Sequence, residues 1–132
     1  MHGRKVLLAD DDPSLRQLVA MTLGTESFML FQAGDGDESL AITRIERPEL
    51  VLLDLNMPGM NGLEVCAAIK SDESLGNTKV VVLTASGNYE DREKALSLGA
   101  DEYFVKPFSP VALLDKIYEL LDQSAPSSSG LN

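Results

Sequence analysis

Three unbroken apolar runs constrain the fold of this chain more than any other feature. Each run is four residues long, which is too short for a helix, and consists almost entirely of valine and leucine. Such runs are typical of parallel strands that helices cover on both faces. Two weaker strand candidates complete the pattern. The five predicted strands are Val6–Ala9, Phe28–Ala33, Leu50–Leu53, Val80–Leu83 and Tyr103–Val105.

The segments between these strands have helical spacing and marked ends. Asp12 before Pro13, and Ser109 before Pro110, each predict an N-cap followed by proline at the first helical position. The remaining boundary signals predict further helix starts and ends. They are capping boxes at Asp35/Glu38 and Asn61/Glu64, left-handed helix ends at Gly24 and Gly99, and a fourth helix from about Asn88 to Leu98.

Alternation of five strands with five helices predicts an α/β fold, a doubly wound five-stranded parallel sheet with right-handed crossovers. We adopt the strand order 2-1-3-4-5 of flavodoxin-like (βα)5 domains as the known order of this fold class; periodicity alone does not supply it. We expect one domain over residues 1–122. Residues 123–132 are serine-rich without an apolar period, which predicts a flexible tail or linker stub.

Composition excludes several classes of function. The formal net charge of -10 opposes direct binding to nucleic acid, and no apolar run reaches membrane-spanning length. Cys66 is the only cysteine, so no internal disulfide forms, and we interpret it as a small core residue of the third helix. The first five residues are too short and polar for a signal peptide, and His2 is interpreted as a disordered terminal residue. We therefore expect a cytoplasmic protein.

The polar residues that are candidates for catalysis or metal binding all lie at or just after strand ends. In open α/β sheets ligands bind beyond the carboxyl ends of the strands, so we expect these side chains to converge. Three carboxylates and one ammonium carry a charge of -3 + 1 = -2, which a hard divalent ion such as Mg²⁺, with Mn²⁺ as an alternative, would neutralise. Taken singly, each residue has a plain interpretation as a turn, a cap or a surface charge. The residues are Asp10, Asp11, Asp54, Thr84 and Lys106.

Four segments together carry a family resemblance. They are Leu8–Pro13, Leu53–Gly62, Thr84–Ala85 and Lys106–Phe108, each at a predicted strand end. In this order they resemble the response-regulator receiver family of two-component signalling, which includes the chemotaxis-type single-domain receivers. The similarity extends from about Arg4 to Leu121, nearly the whole predicted domain.

The resemblance implies a role for each site residue. Asp54 corresponds to the phosphoacceptor, with Lys106 contacting the phosphoryl group and Thr84 as the switch hydroxyl. The implied metal ligands are Asp11, Asp54, the backbone carbonyl of Asn56, and Asp10 partly through water. Ala85 is the small residue beside the phosphate, Asn56 and Ser86 hold positions that tune phosphoryl lifetime, and the Lys106–Pro107 bond is expected to be cis. Tyr103 matches the aromatic switch position, but a half-buried strand aromatic is an equally good interpretation.

The implied function is a phosphoacceptor and not a conventional enzyme. It would take its phosphoryl group from a sensor histidine kinase or phosphotransfer protein docked near the first helix and the loop after strand five. It would catalyse this transfer and a slow autodephosphorylation, and it would signal through the face formed by helix four, strand five and helix five. The downstream partner is left open: a separate protein, a missing effector domain, or a homodimer formed on phosphorylation.

Two other classes of function remain to be weighed. A phosphatase that forms an aspartyl-phosphate would need a second acid two residues after Asp54, where this sequence has Asn56. A flavin-binding module would need a Ser/Thr/Gly-rich phosphate loop after the first strand, where Asp10, Asp11 and Asp12 stand and would repel a phosphate. Both hypotheses are weaker than the receiver hypothesis.

Overall fold

Five strands and five α-helices alternate in a computed structural model that describes residues 4–24, 28–85 and 87–122. A single turn of 3-10 helix, Glu73–Leu75, precedes the fourth strand. In chain order the elements are β1 (Arg4–Ala9), α1 (Pro13–Gly24), β2 (Phe28–Ala33), α2 (Gly36–Glu46), β3 (Leu50–Asp54), α3 (Gly62–Ser71), β4 (Lys79–Thr84), α4 (Tyr89–Ser97), β5 (Glu102–Val105) and α5 (Pro110–Asp122).

All four strand pairings of the sheet are parallel, and the order is β2-β1-β3-β4-β5. The predicted fold class and strand order are therefore confirmed. The order reverses between β1 and β3, which lie side by side with Ala9 opposite Leu53. Asp10 and Asp54 are the residues that directly follow Ala9 and Leu53, so this register brings both to the carboxyl edge of the sheet at the switch point.

The sheet separates two layers of buried side chains, because successive residues of a strand point to opposite faces. Leu7, Val51 and Val82 lie in the layer covered by α2, α3 and α4. Leu8 and Leu52 lie in the layer covered by α1 and α5. Helices on both faces explain why the central strands read as continuous apolar runs, with every residue of β3 buried.

The two strands with the weaker sequence signal are the edge strands. β2 and β5 each have a partner on one side only, and most of their residues are partly or fully exposed. Partial exposure permits polar residues such as Gln32 and Glu102, which interrupt the apolar pattern. All five predicted strands are present, and the three with continuous runs are one or two residues longer than predicted.

Most predicted helix boundaries are confirmed. Asn61 forms a full capping box with Glu64, with N–O distances of 3.0 and 3.1 Å. Asp35 accepts a hydrogen bond from the backbone N–H of Glu38. The Glu38 carboxylate accepts from the amide of Gly34 and not from that of the cap residue Asp35, so this box is a variant. At the first and last helices, side-chain oxygens of the predicted caps accept from the first turn.

The prediction for Gly24 was wrong. Gly99 has the expected positive φ of 105°, whereas Gly24 is the last residue of α1 and has no positive φ. A left-handed residue not foreseen from the sequence is Arg47, with φ 50° and ψ 59°, which ends α2 and donates its N–H to the carbonyl of Thr43. Arginine has no preference for the left-handed conformation, unlike glycine, so the sequence did not indicate that Arg47 would adopt it.

Some predictions fall on residues that the structure does not describe: the tail 123–132, His2 and Ser86. Across the described ranges, none of the helices combines the length and the apolar character that a membrane crossing requires.

Candidate metal centre

The carboxylates of Asp10, Asp11 and Asp54 meet at the carboxyl edge of the sheet. One oxygen from each lies within 4.8 Å of the others. Asp54 is the last residue of β3, and Asp10 directly follows β1, where its N–H donates to the carbonyl of Ala33 at 3.0 Å. Asp10 is therefore fixed between β1 and β2, and the β1–β3 register places it beside Asp54.

The acidic cluster combines two buried carboxylates with one exposed carboxylate. Asp10 and Asp54 are 0% and 3% exposed, whereas Asp11 faces solvent. Oδ1 of Asp10 accepts from the amide of Asp12 at 2.9 Å. Within the described residues, no group makes a well-directed hydrogen bond to Oδ2 of Asp10, although it is fully buried. A buried carboxylate oxygen in this state needs a positive partner.

Lys106 supplies part of that positive charge. Its Nζ lies 2.8 Å from Oδ2 of Asp10 and 3.4 Å from Oδ2 of Asp54. Burial opposes the charged form of the lysine, but the two carboxylates outweigh burial, and the pKa of Lys106 is raised above its ordinary value. The backbone N–H of Lys106 donates to the carbonyl of Thr84 at 2.7 Å, and the Lys106–Pro107 peptide bond is cis, as expected.

Asp54 is held in an environment that disfavours its charge. Burial is the main cause of a pKa above the ordinary value of 3.8, and the neighbouring charge of Asp10 raises the pKa of Asp54 further. The amide of Asn56, which donates to Oδ1 at 3.1 Å, and the ammonium of Lys106 act in the opposite direction. Net charge on the cluster is therefore only partly compensated by protein groups.

This donor set fits a hard divalent cation. The cluster offers carboxylate oxygens alone, without imidazole or thiolate, and such ligands suit Mg²⁺, Ca²⁺ or Mn²⁺. One lysine against three aspartates leaves a charge of -3 + 1 = -2 if all ionise, which equals the charge that a divalent ion would cancel. Oδ2 of Asp10 is buried beside the ammonium of Lys106 and makes no well-directed hydrogen bond within the described residues, and Asp11 is exposed. The cluster therefore offers both a ligand atom and an open approach.

The other predicted residues flank this cluster at different depths. Thr84 is the buried last residue of β4, and Ala85 follows it at the surface. Asn56 is exposed, and its backbone N–H donates to Oδ1 of Asp54. Tyr103 lies apart from the carboxylates: it is opposite Val82 in the β4–β5 register and packs, half-buried, against the layer that α4 covers.

Arg16 is a neighbour of the cluster that sequence reasoning missed. Its Nη1 donates to the backbone carbonyl of Asp10 at 3.2 Å from the first turns of α1. The signal in the sequence was its spacing, four residues after the predicted cap Asp12 and so one helical turn from the loop after β1. The structure shows that turn, in which the amide of Arg16 donates to the carbonyl of Asp12. The guanidinium thus ties α1 to the segment that carries two of the carboxylates.

A groove of about 320 Å³ adjoins Lys106. It lies between α1 and the loop after β5, and its walls include Leu15, Pro107 and Phe108. Leu18, which also lines it, is 41% exposed. The groove provides a partly apolar surface beside Lys106 of the site.

Comparisons with known proteins agree on one family. A model described as "Response regulator receiver domain" matches residues 6–118. The DNA-binding response regulator MtrA of Mycolicibacterium smegmatis is 40% identical over 86% of this chain. A protein of Porphyridium aerugineum named "Probable transcriptional regulator ycf27" is 37% identical over the whole chain. The chain spans about half the length of these relatives, 49% and 54%.

Solved structures show the same similarity. The chemotaxis response regulator CheY4 of Vibrio cholerae superposes with a TM-score of 0.83 at 33% identity, covering 89% of this chain and 98% of that one. A CheY-like response regulator receiver domain protein from Methanospirillum hungatei gives a TM-score of 0.84 at 30% identity, covering 92% and 95%. Both superpositions cover about nine-tenths of this chain, so the similarity is one of the whole fold.

Proposed function

Since this chain belongs to the response regulator receiver family of two-component signalling, we propose that Asp54 is its phosphoacceptor. The observation that carries the proposal is the position of the Asp54 carboxylate, buried at the switch point between Asp10, Asp11 and Lys106. A carboxylate whose charge is so poorly compensated is a competent nucleophile only when cations share the site. We propose Mg²⁺ as that cation, with Mn²⁺ as an alternative.

The ligands that we propose for the ion are oxygen atoms at the carboxyl ends of β1 and β3. They are the carboxylates of Asp11 and Asp54, the backbone carbonyl of Asn56, and Asp10 partly through water. A bound divalent ion would supply Lewis acidity and charge neutralisation for the incoming phosphoryl oxygens. The exposed position of Asp11 leaves room for water and for a phosphoryl donor on the same side.

The reaction is a phosphoryl transfer from nitrogen to oxygen. An oxygen of Asp54 attacks the phosphorus of a phosphohistidine on the partner protein, forming an O–P bond as the bond from phosphorus to the histidine nitrogen breaks. Lys106 stabilises the equatorial oxygens, and the histidine, whose other ring nitrogen carries a proton, takes the electron pair of the broken bond and leaves as neutral imidazole. The charge on the Asp54 side chain changes from -1 to about -2. A slower attack of water on the same phosphorus returns the aspartate and releases phosphate.

Thr84, Ala85 and Tyr103 are proposed to convert the new charge into a change of shape. The hydroxyl of Thr84 moves to the phosphoryl oxygens, and the small side chain of Ala85 leaves the approach open. Tyr103 then turns toward the space that Thr84 vacates. Its half-buried position against the α4 layer supports this role, because a rotation there changes the α4–β5–α5 surface.

The partners follow from the family and remain proposals. A sensor histidine kinase or phosphotransfer protein would occupy the groove between α1 and the loop after β5. The output would act through residues 1–122 as the receiver unit, on a separate protein, on an effector domain, or on a second receiver. The MtrA relative is a DNA-binding response regulator of which this chain spans 49%, so a DNA-binding effector domain is one form that the output could take.

The proposal is tested with a small phosphoryl donor. Wild type and Asp54→Asn are incubated with acetyl phosphate and Mg²⁺, and intact mass spectrometry counts the proteins that gain one phosphoryl group. We expect incorporation in the wild type, none in Asp54→Asn, and none with EDTA. Incorporation that persists in the variant, or that proceeds equally with EDTA, would contradict the assignment. The decay of the label after removal of the donor measures autodephosphorylation.

A further inference from the structure

The N-terminal turn of α2 is in direct backbone contact with the loop that joins β3 to α3, residues 55–61, called here the β3–α3 loop. The N–H of Gly36 donates to the carbonyl of Pro58 at 3.2 Å. A Cβ atom placed on Gly36 would lie 1.7 Å from the carbonyl oxygen of Met60 and 2.6 Å from its carbonyl carbon. The obstacle is backbone and not a movable side chain. No residue other than glycine fits between these two segments.

Close approach, and not backbone conformation, is what requires glycine at position 36. Gly36 is the first residue of α2, and its φ is not positive. Glycine is generally less favourable than alanine in a helix, so contact with the loop explains its presence at this first helical position. Gly59, on the loop side of the same contact, differs, because its φ of 76° independently favours glycine.

The β3–α3 loop connects this contact to the metal centre. Asn56 lies two residues before Pro58, and its amide holds Oδ1 of Asp54. The base of the loop is closed by a hydrogen bond from Gly62 N–H to the carbonyl of Leu55 at 3.2 Å. Leu55 belongs to the same buried cluster as Leu40 of α2. Helix and loop are thus packed as one unit, and a displacement at Pro58 reaches Asn56 through a single intervening residue.

We propose that Gly36 is a positioning residue for the metal centre, since its contact with Met60 sets the place of the loop whose Asn56 carbonyl binds the ion. The inference rests on the proposed function. Any side chain at position 36 must separate the two backbones by roughly 1 Å or more, because non-bonded carbon and oxygen atoms need more than 3 Å. Ligand geometry for a small hard cation does not tolerate displacements of that size.

The first test compares two glycine-to-alanine variants. Gly36→Ala introduces the clash, whereas Gly24→Ala is the matched control, because a Cβ there meets none of the described residues within 4 Å and Gly24 also lies in a helix. Mg²⁺ affinity is measured by isothermal titration calorimetry on protein whose circular dichroism matches the wild type. We expect affinity about tenfold weaker in Gly36→Ala, the scale found when supports of metal ligands are changed, and unchanged affinity in Gly24→Ala. Wild-type affinity in Gly36→Ala would overturn the inference.

A second test uses the wild-type chain alone, so that it holds if Gly36→Ala fails to fold. Amide hydrogen exchange is followed by NMR with and without saturating Mg²⁺. We expect the Gly36 amide, which bonds the loop, to exchange several-fold more slowly with Mg²⁺, and the Arg47 amide at the other end of α2 to be unaffected. Equal Gly36 exchange in both states would overturn the inference. A wild type that binds no Mg²⁺ would overturn the metal centre itself, and this inference with it.

Discussion

The ammonium of Lys106 is nearer to Asp10 than to Asp54, at 2.8 against 3.4 Å from the respective Oδ2 atoms. The lysine therefore satisfies the carboxylate oxygen that is otherwise without a hydrogen bond, and only secondarily the proposed nucleophile. Before phosphoryl transfer, Lys106 and a cation would compete for Asp10. After the proposed transfer, both would contact the phosphoryl oxygens. Under this proposal Lys106 opposes the binding of the cation and assists the transfer of the phosphoryl group.

Replacing Lys106 by methionine should separate these two effects. Removal of one positive charge leaves three carboxylates without a protein counter-charge, so Mg²⁺ should bind roughly tenfold more tightly at low salt. Phosphorylation by acetyl phosphate should slow by about 100-fold, because a donor to the phosphoryl oxygens is lost. Calorimetry and the mass assay measure the two quantities.

The control for this variant is Lys5→Met, which removes a lysine paired with Glu46 at the opposite end of β1. It should change neither quantity by more than twofold. Weaker Mg²⁺ binding in Lys106→Met would mean that the lysine supports the ion and would contradict the competition described above.

Asp54→Asn should stabilise the metal-free protein near neutral pH. The pKa of Asp54 is raised in the folded state, mainly by burial, so its proton favours folding below the ordinary pKa of 3.8 and that contribution is lost as pH rises through the folded value. At pH 7 the ionised side chain is therefore a cost that asparagine removes. We expect a melting temperature higher by a few degrees at pH 7, with a gap that shrinks as the buffer is acidified.

Differential scanning calorimetry with EDTA measures this gap, and Asp12→Asn is the control, since Asp12 is exposed and asparagine can still cap Ser14. Added Mg²⁺ should stabilise the wild type more than Asp54→Asn. A gap that widens toward acid pH would show that the Asp54 charge stabilises the fold, contrary to the direction of its pKa.

The sequence located the candidate site residues better than it located the contacts between them. Asp10, Asp54 and Thr84 could be placed at strand ends because continuous apolar runs locate the three central strands, and the residue after each run is then known. Lys106 follows the less distinct fifth strand. Edge strands were less distinct because half-exposed positions accept polar residues.

Contacts between distant segments could not be predicted in the same way. The nearness of Lys106 to Asp10, and of Gly36 to Met60, depends on how loops from different crossovers pack, and no local period encodes that. The left-handed conformation of Arg47 and the helical conformation of Gly24 show the same limit for single residues. Tertiary packing overrides the backbone preference of an individual residue in both cases.

Asp101 should be a major stabilising residue away from the site. Its Oδ2 accepts from Lys70 Nζ at 2.7 Å and from the amide of Val80 at 2.8 Å. Asp101→Ala leaves that amide without its acceptor and the lysine without its counter-charge, so we expect a loss of about 2 kcal/mol in the free energy of unfolding. Asp101→Asn, which keeps an acceptor, should lose about half as much.

Urea unfolding at constant slope measures these losses. Arg44→Ala provides the comparison, because its contact with Asp72 is longer, 3.8 Å, and the arginine is largely exposed. Such surface pairs contribute little, so a change below about 0.5 kcal/mol is expected. An equally small change in Asp101→Ala would mean that water replaces both of the lost contacts.

Cys66 should be inert in the folded protein. The side chain is fully buried in the layer under α3, and burial raises the pKa of its thiol to about 11. Because only the thiolate reacts, labelling by a disulfide reagent at pH 8 should require unfolding and follow the unfolded fraction. The raised pKa also means that the thiol stabilises the fold below pH 9 and that this contribution is lost as pH approaches about 11.

Labelling rates in increasing urea distinguish the two routes to reaction. We expect the rate to rise in parallel with the unfolded fraction. Fast labelling in the absence of urea, at a rate independent of stability, would indicate a local opening of α3 that exposes the thiol. Cys66→Ala, which is silent in the assay, provides the baseline.

The hydrogen bond from Lys106 N–H to the carbonyl of Thr84 joins two of the groups that would contact a phosphoryl oxygen. A displacement of either residue is therefore transmitted to the backbone hydrogen bonds between the fourth and fifth strands. The fifth strand is the outermost of the sheet, and none of its four residues is fully buried. Deformation at that margin costs less than deformation of the tightly packed centre. The domain thus has a deformable edge strand that leads directly into Lys106, and the other four strands can stay rigid when that edge deforms.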